Sequence, residues 1–305
     1  MTGFDVVGFG ALNVDKLFKV NRLAAADEES YINSHTETGG GSAANTIVGL
    51  ARLGCKVGFI GKVAGDREGA LLLEDFEREH VDTSGVVRVG QGDSGLVMGF
   101  VDDKGDRALY IDSGVNDTIT FEEVDEDYVS RTQFLHLTSF VGEQSFKTQK
   151  RLLEMLPENV TVSFDPGALY AGKGYAALEP IIKKTHVLMP NAKELALITG
   201  EEDHCRGADW LVSRGAKVVA VKLGADGCYV TDGQERLRIE AFKVEVVDTT
   251  GAGDAFCAGF LYGLLQNKTL SDCGKLGNFV ASRCVMKMGA RAGLQYVKDL
   301  PPLLR

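Results

Sequence analysis

Basic residues are in deficit. The 305-residue chain has 33 Lys and Arg against 43 Asp and Glu, a formal charge of −10. Binding along a nucleic-acid backbone relies on clustered Lys and Arg, so no nucleic-acid partner is expected, although one local anion site is not excluded. No apolar run approaches the roughly 20 residues of a membrane helix, so no membrane partner is expected either. The six cysteines (55, 205, 228, 257, 273 and 284) include no CxxC pair, which reads as reduced, mostly buried thiols rather than a disulfide scaffold. Five scattered histidines (35, 80, 136, 186 and 204) contain no HExxH, which leaves zinc without support. Met1–Gly10 has neither the basic segment nor the apolar run of a signal peptide, and a cytoplasmic protein is expected. Against these absences stand 44% hydrophobic residues and 37 glycines, a globular composition. A chain this long buries roughly three quarters of its unfolded surface, enough for one large core with a small annex.

The pattern alternates between strands and helices. FDVVGFG (4–10) and CKVGFIG (55–61) read as buried strands. Between them SAANTIVGLARLG predicts a helix capped by Ser42 and ended at Gly54. A helix is predicted over 66–79, a hairpin over 95–111 turning at Asp102–Gly105, and strands at 134–137, 160–164, 186–189, 218–223, 228–232 and 237–242. Helices near 143–155, 174–183, 191, 205–213, 254–265 and 270–286 complete the order. Repeated strand–helix units imply a three-layer α/β/α sandwich on a mainly parallel sheet. The polar β segments near 15–36 and 95–112 do not fit that alternation and are assigned to a small discontinuous β lid. The core then comprises 1–14, 37–94 and 113–305.

Two glycine strings are decoys. VVGFGALNVD (6–15) starts like a dinucleotide turn, but Asn13 stands where the third glycine would allow close helix–strand packing. GALYAGKG (167–174) resembles a phosphate loop, but Gly174 follows Lys173 where a magnesium-binding hydroxyl belongs, and it reads as a surface loop before a helix. The informative run is EVVDTTGAGDAFCAGFLYGLL (245–265). A β-like EVV leads into small residues, then a helix near Asp254. Small residues at Thr249, Thr250, Gly251, Ala252 and Gly253 before a helix start let consecutive backbone N–H groups converge on one anion. A carboxylate beside an anion nest repels phosphate. It makes chemical sense if Asp254 accepts the proton of an attacking hydroxyl, the alternative being a simple helix cap.

These residues resemble the ribokinase-like, PfkB-type carbohydrate and nucleoside kinases. DTTGAGDAF (248–256) is similar to the family's C-terminal signature and GGGSAAN (39–45) to its N-terminal one. PNAKE (190–194) matches its NxxE element, and KLGADG (222–227) resembles its nucleotide loop. The resemblance implies ATP-dependent phosphorylation of a primary hydroxyl on a small sugar, ribose first. Nucleosides, fructose, a sugar acid or a sugar phosphate are the alternatives, and a nucleotide-binding protein without turnover is a further class.

The resemblance also implies site roles. Asp254 is the base and Gly251, Ala252 and Gly253 the anion hole. Asn13, Asp15, Gly40, Gly41 and Asn45 hold the acceptor, although Ser42 stands where ribokinase-type chains often carry Lys. As alternatives, Asp15 caps a turn and Asn45 packs at a helix edge. Asn191 and Glu194 serve the Mg-nucleotide, Glu194 through water, and the same pair is also a capping arrangement. Lys222, Gly224 and Gly227 shape the nucleotide loop, with Lys222 either near a phosphate or an exposed strand end. Asp248, Thr250, Cys284, Lys287 and Gly289 form a candidate monovalent-cation site for potassium, in which Gly293 replaces a possible Ser ligand. ATP and Mg2+ are the expected cofactors. Arg107 either contacts the acceptor or faces solvent, and a homodimer through the lid is expected.

Overall fold

Val6 and Val7 point to opposite faces of the first strand, and both are fully buried. A strand covered on both sides is the arrangement that allows this. The computed structural model describes residues 3–104 and 106–304. In chain order the elements are β1 (Phe4–Phe9), β2 (Asn13–Val20), β3 (Ile32–Gly40), α1 (Ser42–Arg52), β4 (Val57–Ala64), α2 (Arg67–Arg78), β5 (Val86–Val89), β6 (Gly95–Val101), β7 (Arg107–Asp112) and α3 (Glu126–Ser130). There follow β8 (Thr132–Thr138), α4 (Glu143–Met155), β9 (Thr161–Asp165), α5 (Gly167–Ala171), α6 (Gly174–Ile182), β10 (Val187–Leu188), α7 (Ala192–Thr199) and α8 (His204–Ser213). The chain ends with β11 (Val218–Lys222), β12 (Cys228–Thr231), β13 (Arg236–Ile239), α9 (Ala252–Leu265) and α10 (Leu270–Cys284).

The nine-stranded sheet has the order β13-β12-β11-β10-β9-β8-β1-β4-β5. Strands β11 to β5 run parallel, and β12 runs antiparallel to both of its neighbours, β11 and β13. One apolar core packs α1, α2, α9 and α10 on one face, and a second packs the helices α3 to α8 on the other. This is the expected three-layer sandwich.

The separate sheet, order β3-β2-β6-β7, is the small lid. It opens at Asn13 and β3 runs to Gly40, so residues 13–14 and 37–40, grouped by sequence with the core, lie in or beside its strands. Gly105 of the expected hairpin turn lies outside the described residues. Lys16 pairs with Glu68 at 2.7 Å and Arg67 with Glu37 at 2.5 Å, which ties the lid to α2.

Local chemistry explains most boundaries. Gly54 takes φ +87°, and the bonds from Gly54 N–H to Ala51 and from Cys55 N–H to Leu50 end α1 as a Schellman turn. Four expectations are corrected. Ser42 does not cap α1; Gly41 does, without a side-chain bond. Residues 167–174 do not form a surface loop, because Tyr170 is buried and donates to Gln149 at 3.0 Å, which turns the stretch into the packed helix α5. Glu245–Val247 form no strand; Val246 and Val247 are exposed, and the Val247 N–H is taken by Val285 O after α10 rather than by a strand. Helix α9 begins at Ala252, so the small-residue run is itself the first helical turn.

Candidate active site

Strands β1 and β8 are neighbours whose onward connections run to opposite sides of the sheet. In parallel α/β sheets such a switch opens a crevice beyond the carboxyl ends of the strands. The site residues gather along that edge. The chain leaving β1 reaches Asn13, β9 ends at Asp165, Asn191 follows β10, and β11 ends at Lys222.

Asp254 stands in the first turn of α9, facing α1. Its Oδ1 accepts from Ser42 Oγ at 2.6 Å and its Oδ2 from Asn45 Nδ2 at 2.8 Å. Burial pushes its pKa up to about 6, helped by Asp165; the two hydrogen bonds and Lys222 pull the other way. Gly251 is the N-cap of the helix at φ +76°, and a Cβ there would lie 2.6 Å from Ala290. Side chains rarely adopt that conformation, so glycine is required. The Ala252 N–H bonds back to Thr249, while those of Gly253 and Asp254, in the first turn, have no intrahelical acceptor. The run therefore presents donors and the positive helix end beside one carboxylate.

On the acceptor side, Asn13 Oδ1 is held by Asn116 Nδ2 at 3.0 Å, and Asn116 is itself locked to Leu12 by two bonds. Asp15 folds over Gly40, where a Cβ would fall 2.3 Å from its Oδ2. Burial raises Asp15 to about 6 against the charge of Arg291. Gly41 joins β3 to α1. Asn45 is buried, and its amide bonds Asp254 on one side and Arg291 on the other. The residue therefore braces Asp254 from within the protein.

On the donor side, Asn191 and Glu194 form a reciprocal capping box, with bonds of 2.9 and 2.8 Å. Lys222 is not an exposed strand end. Its side chain is 12% exposed, and Nζ meets Asp165 Oδ2 at 2.6 Å. A Cβ on Gly253 would sit 3.3 Å from that Nζ, so the ammonium lies directly behind the anion hole. Gly224 and Gly227 bound the turn after β11. Arg107 is exposed, yet close enough to Asp248 to lower its pKa.

The donor set fits a divalent cation. Burial and the charge of Asp165 raise Glu194, and Asp165 Oδ1 is buried without a partner. Two mutually repelling carboxylates near a phosphate site suit Mg2+, which keeps several waters and takes one or two protein carboxylates. At the candidate monovalent-cation site, the loops at 248–250 and 284–289 do meet. Asp248 accepts from the Thr250 N–H and hydroxyl and from the Gly289 N–H, and Cys284 donates to Thr250 O. Burial opposes ionisation of Asp248, but those bonds outweigh it and hold its pKa low. Lys287 lies on the exposed side of this turn, and its N–H bonds Cys284 O.

Asp165, Asn116 and Arg291 were not singled out from sequence. Asp165 carried a signal, an acidic residue at the carboxyl end of a strand. Arg291 carried none.

The pfkB family carbohydrate kinase pattern matches residues 4–296. An uncharacterized sugar kinase of Archaeoglobus fulgidus is 48% identical over 81% of this chain and 98% of its own. An ATP-dependent ribose-1-phosphate kinase of Halopiger xanaduensis is 34% identical over 94% of each chain. The crystal structure of ribokinase from Thermotoga maritima superposes with a TM-score of 0.87 at 26% identity, covering 97% of both chains. Among the described residues no helix is long and apolar enough to cross a membrane.

Proposed function

The chain belongs to the pfkB family of carbohydrate kinases, ATP-dependent phosphotransferases, and on that premise we propose that it phosphorylates the primary hydroxyl of a ribofuranose, free ribose first. The observation that carries this reading is Asp254, aimed by Ser42 and Asn45 beside the first turn of α9. Asp15 and Asn13 have the short polar side chains that bridge neighbouring hydroxyls. With a diol bound there, the exocyclic hydroxyl is directed to Asp254. That carboxylate takes its proton, while the 251–253 turn stabilises the charge on the transferred group through its free N–H groups, that of Ala252 being turned back to Thr249. Lys222 supplies positive charge behind the same turn. Bound Mg2+ would neutralise and orient the nucleotide phosphates, and Glu194 and Asp165 are the residues to hold it.

Ribose 1-phosphate is the second reading, favoured by the relative that is 34% identical over nearly the whole chain. The test is product mass from Mg-ATP with ribose, ribose 1-phosphate, fructose, sugar acids and nucleosides. Phosphorylated ribose supports the first reading and ribose bisphosphate the second; no phosphorylated product from any acceptor overturns both. We further propose potassium activation through Asp248 and the 284–289 turn, and a cytoplasmic location, in keeping with six free thiols. A homodimer through the lid completes the proposal, supported by apolar lid residues left exposed.

A further inference from the structure

Arg291 lies in the turn after α10, between Gly289 and Gly293 of the candidate cation segment, where the sequence assigns it no role, yet its side chain is only 11% exposed. Its Nε donates to Asn45 Oδ1 at 2.8 Å, and its Nη1 pairs with Asp75 on α2. The end of the lid strand β3 packs on that pair. A Cβ on Gly39 would lie 2.6 Å from Asp75 Oδ2 and 3.0 Å from Arg291 Nη1.

A primary amide has two faces, an acceptor and a donor, and either can turn toward a neighbour. Arginine has no acceptor, so beside Arg291 only the oxygen of Asn45 is tolerated. The NH2 must then face Asp254, and it donates to Oδ2 at 2.8 Å. Reversed, the amide would set its oxygen against a carboxylate.

We propose that Arg291 is a positioning residue for the catalytic base, fixing the Asn45 amide so that its NH2 aims Asp254 at the acceptor hydroxyl. This rests on Asp254 being the base. The other ionisable groups around Asp254 are Asp165 on β9, Lys222 on β11, Cys257 on α9 and Cys284 at the end of α10. Asp15 on β2, Asp75 and Glu79 at α2, and Arg52 on α1 face Arg291.

Two side chains of suitable length separate positioning from packing. In Arg291→Gln the amide nitrogen occupies the place of Nε and still donates. In Arg291→Met a methyl group sits there and cannot. Both remove the buried cation of Asp75 and leave it only the exposed Arg78, at 3.2 Å, so both are made together with Asp75→Asn, and Asp75→Asn alone is the reference. Turnover of ribose and Mg-ATP is followed from about pH 5 to 9, with kcat and KM separated, alongside thermal midpoints. The methionine variant is expected to lose about ten-fold or more in kcat, with its acid limb moved to higher pH and KM for ATP changed less than about three-fold. The glutamine variant is expected to stay within about three-fold of the reference in kcat.

Equal losses in the two variants, or full turnover in the methionine variant, overturn the proposal. If the wild-type protein turns over no acceptor, the kinase reading has failed by itself. The Asp254 carboxyl titration, followed by 13C NMR without ligands, then still decides. A pKa raised by methionine and not by glutamine supports positioning, and the same pKa in both refutes it.

Discussion

At the scale of single residues, the proposed chemistry rests on two carboxylates, and burial governs both. Asp254 and Asp15 are each raised to about 6, so each gains its charge between roughly pH 5 and 7. A general base must be ionised, and so must a carboxylate that accepts two hydroxyl bonds. The acid limb of kcat/KM is therefore expected near pH 6, with a slope between one and two protons, read from a pH–rate profile with ribose. Asp254→Asn is expected to lower kcat by about 10³-fold while nucleotide binding persists. The same substitution bears on stability. The folded-state pKa lies above the value of 3.8 in the unfolded chain, so between about pH 4 and 6 the folded state holds more protons. Stability from this group is full below pH 4 and is lost as pH rises through 6. At pH 7 the charged Asp254 thus costs the fold about 3 kcal/mol. Asp254→Asn can keep both neighbours, because its oxygen accepts from Asn45 and the Ser42 hydroxyl rotates to accept from its amide. The variant is expected to melt higher than wild type at pH 7 and no higher at pH 4, by calorimetry at both pH values.

At the scale of elements, hydrophobic period and glycine punctuation made the sandwich legible. The helix at 143–155 and the strands at 218–223 and 228–232 follow directly from that pattern, because tertiary packing agrees with local preference there. Legibility failed where a long-range partner decides. Ser42 reads locally as a cap, but a carboxylate 212 positions away takes its hydroxyl. Glu245–Val247 have strand propensity, but the Val247 N–H goes to Val285 O rather than to a strand. Arg291 matters through Asn45 and Asp75, both remote in sequence. Two element ends carry further tests. Gly40 closes β3 over Asp15, so Gly40→Ala is expected to raise KM for the acceptor about ten-fold or more while nucleotide affinity, by calorimetric titration, stays near wild type. Lys222 ends β11 as the cation between Asp165 and Glu194. Lys222→Met strands the buried Asp165 carboxylate and is expected to cost roughly 3 kcal/mol in urea unfolding. Adding Asp165→Asn should restore most of that loss, since it removes the stranded charge.

At the scale of the whole molecule, the lid has more apolar surface than one chain covers. Pairing registers Leu17 with Gly99 and Gly99 with Leu109, and alternation places these on the face that carries Asp15 and Ile111. Near Asp15 that face roofs the proposed acceptor site. Farther out, Leu109 and Ile111 are 48% and 56% exposed on the edge strand β7. An edge strand with exposed aliphatic residues pairs readily with another chain, and a two-fold arrangement lets each lid cover the other. Such an assembly would steady the closed lid, which keeps water from competing with the acceptor for the transferred phosphoryl group. Sedimentation velocity is expected to give a dimer for the wild-type protein. Leu109→Glu, distant from Asp15, is expected to give a folded monomer. That monomer should show a higher KM for the acceptor and more ADP released per sugar phosphorylated. A wild-type monomer would instead mean that the lid closes without a second copy, and a Leu109→Glu dimer that the two copies meet through another surface.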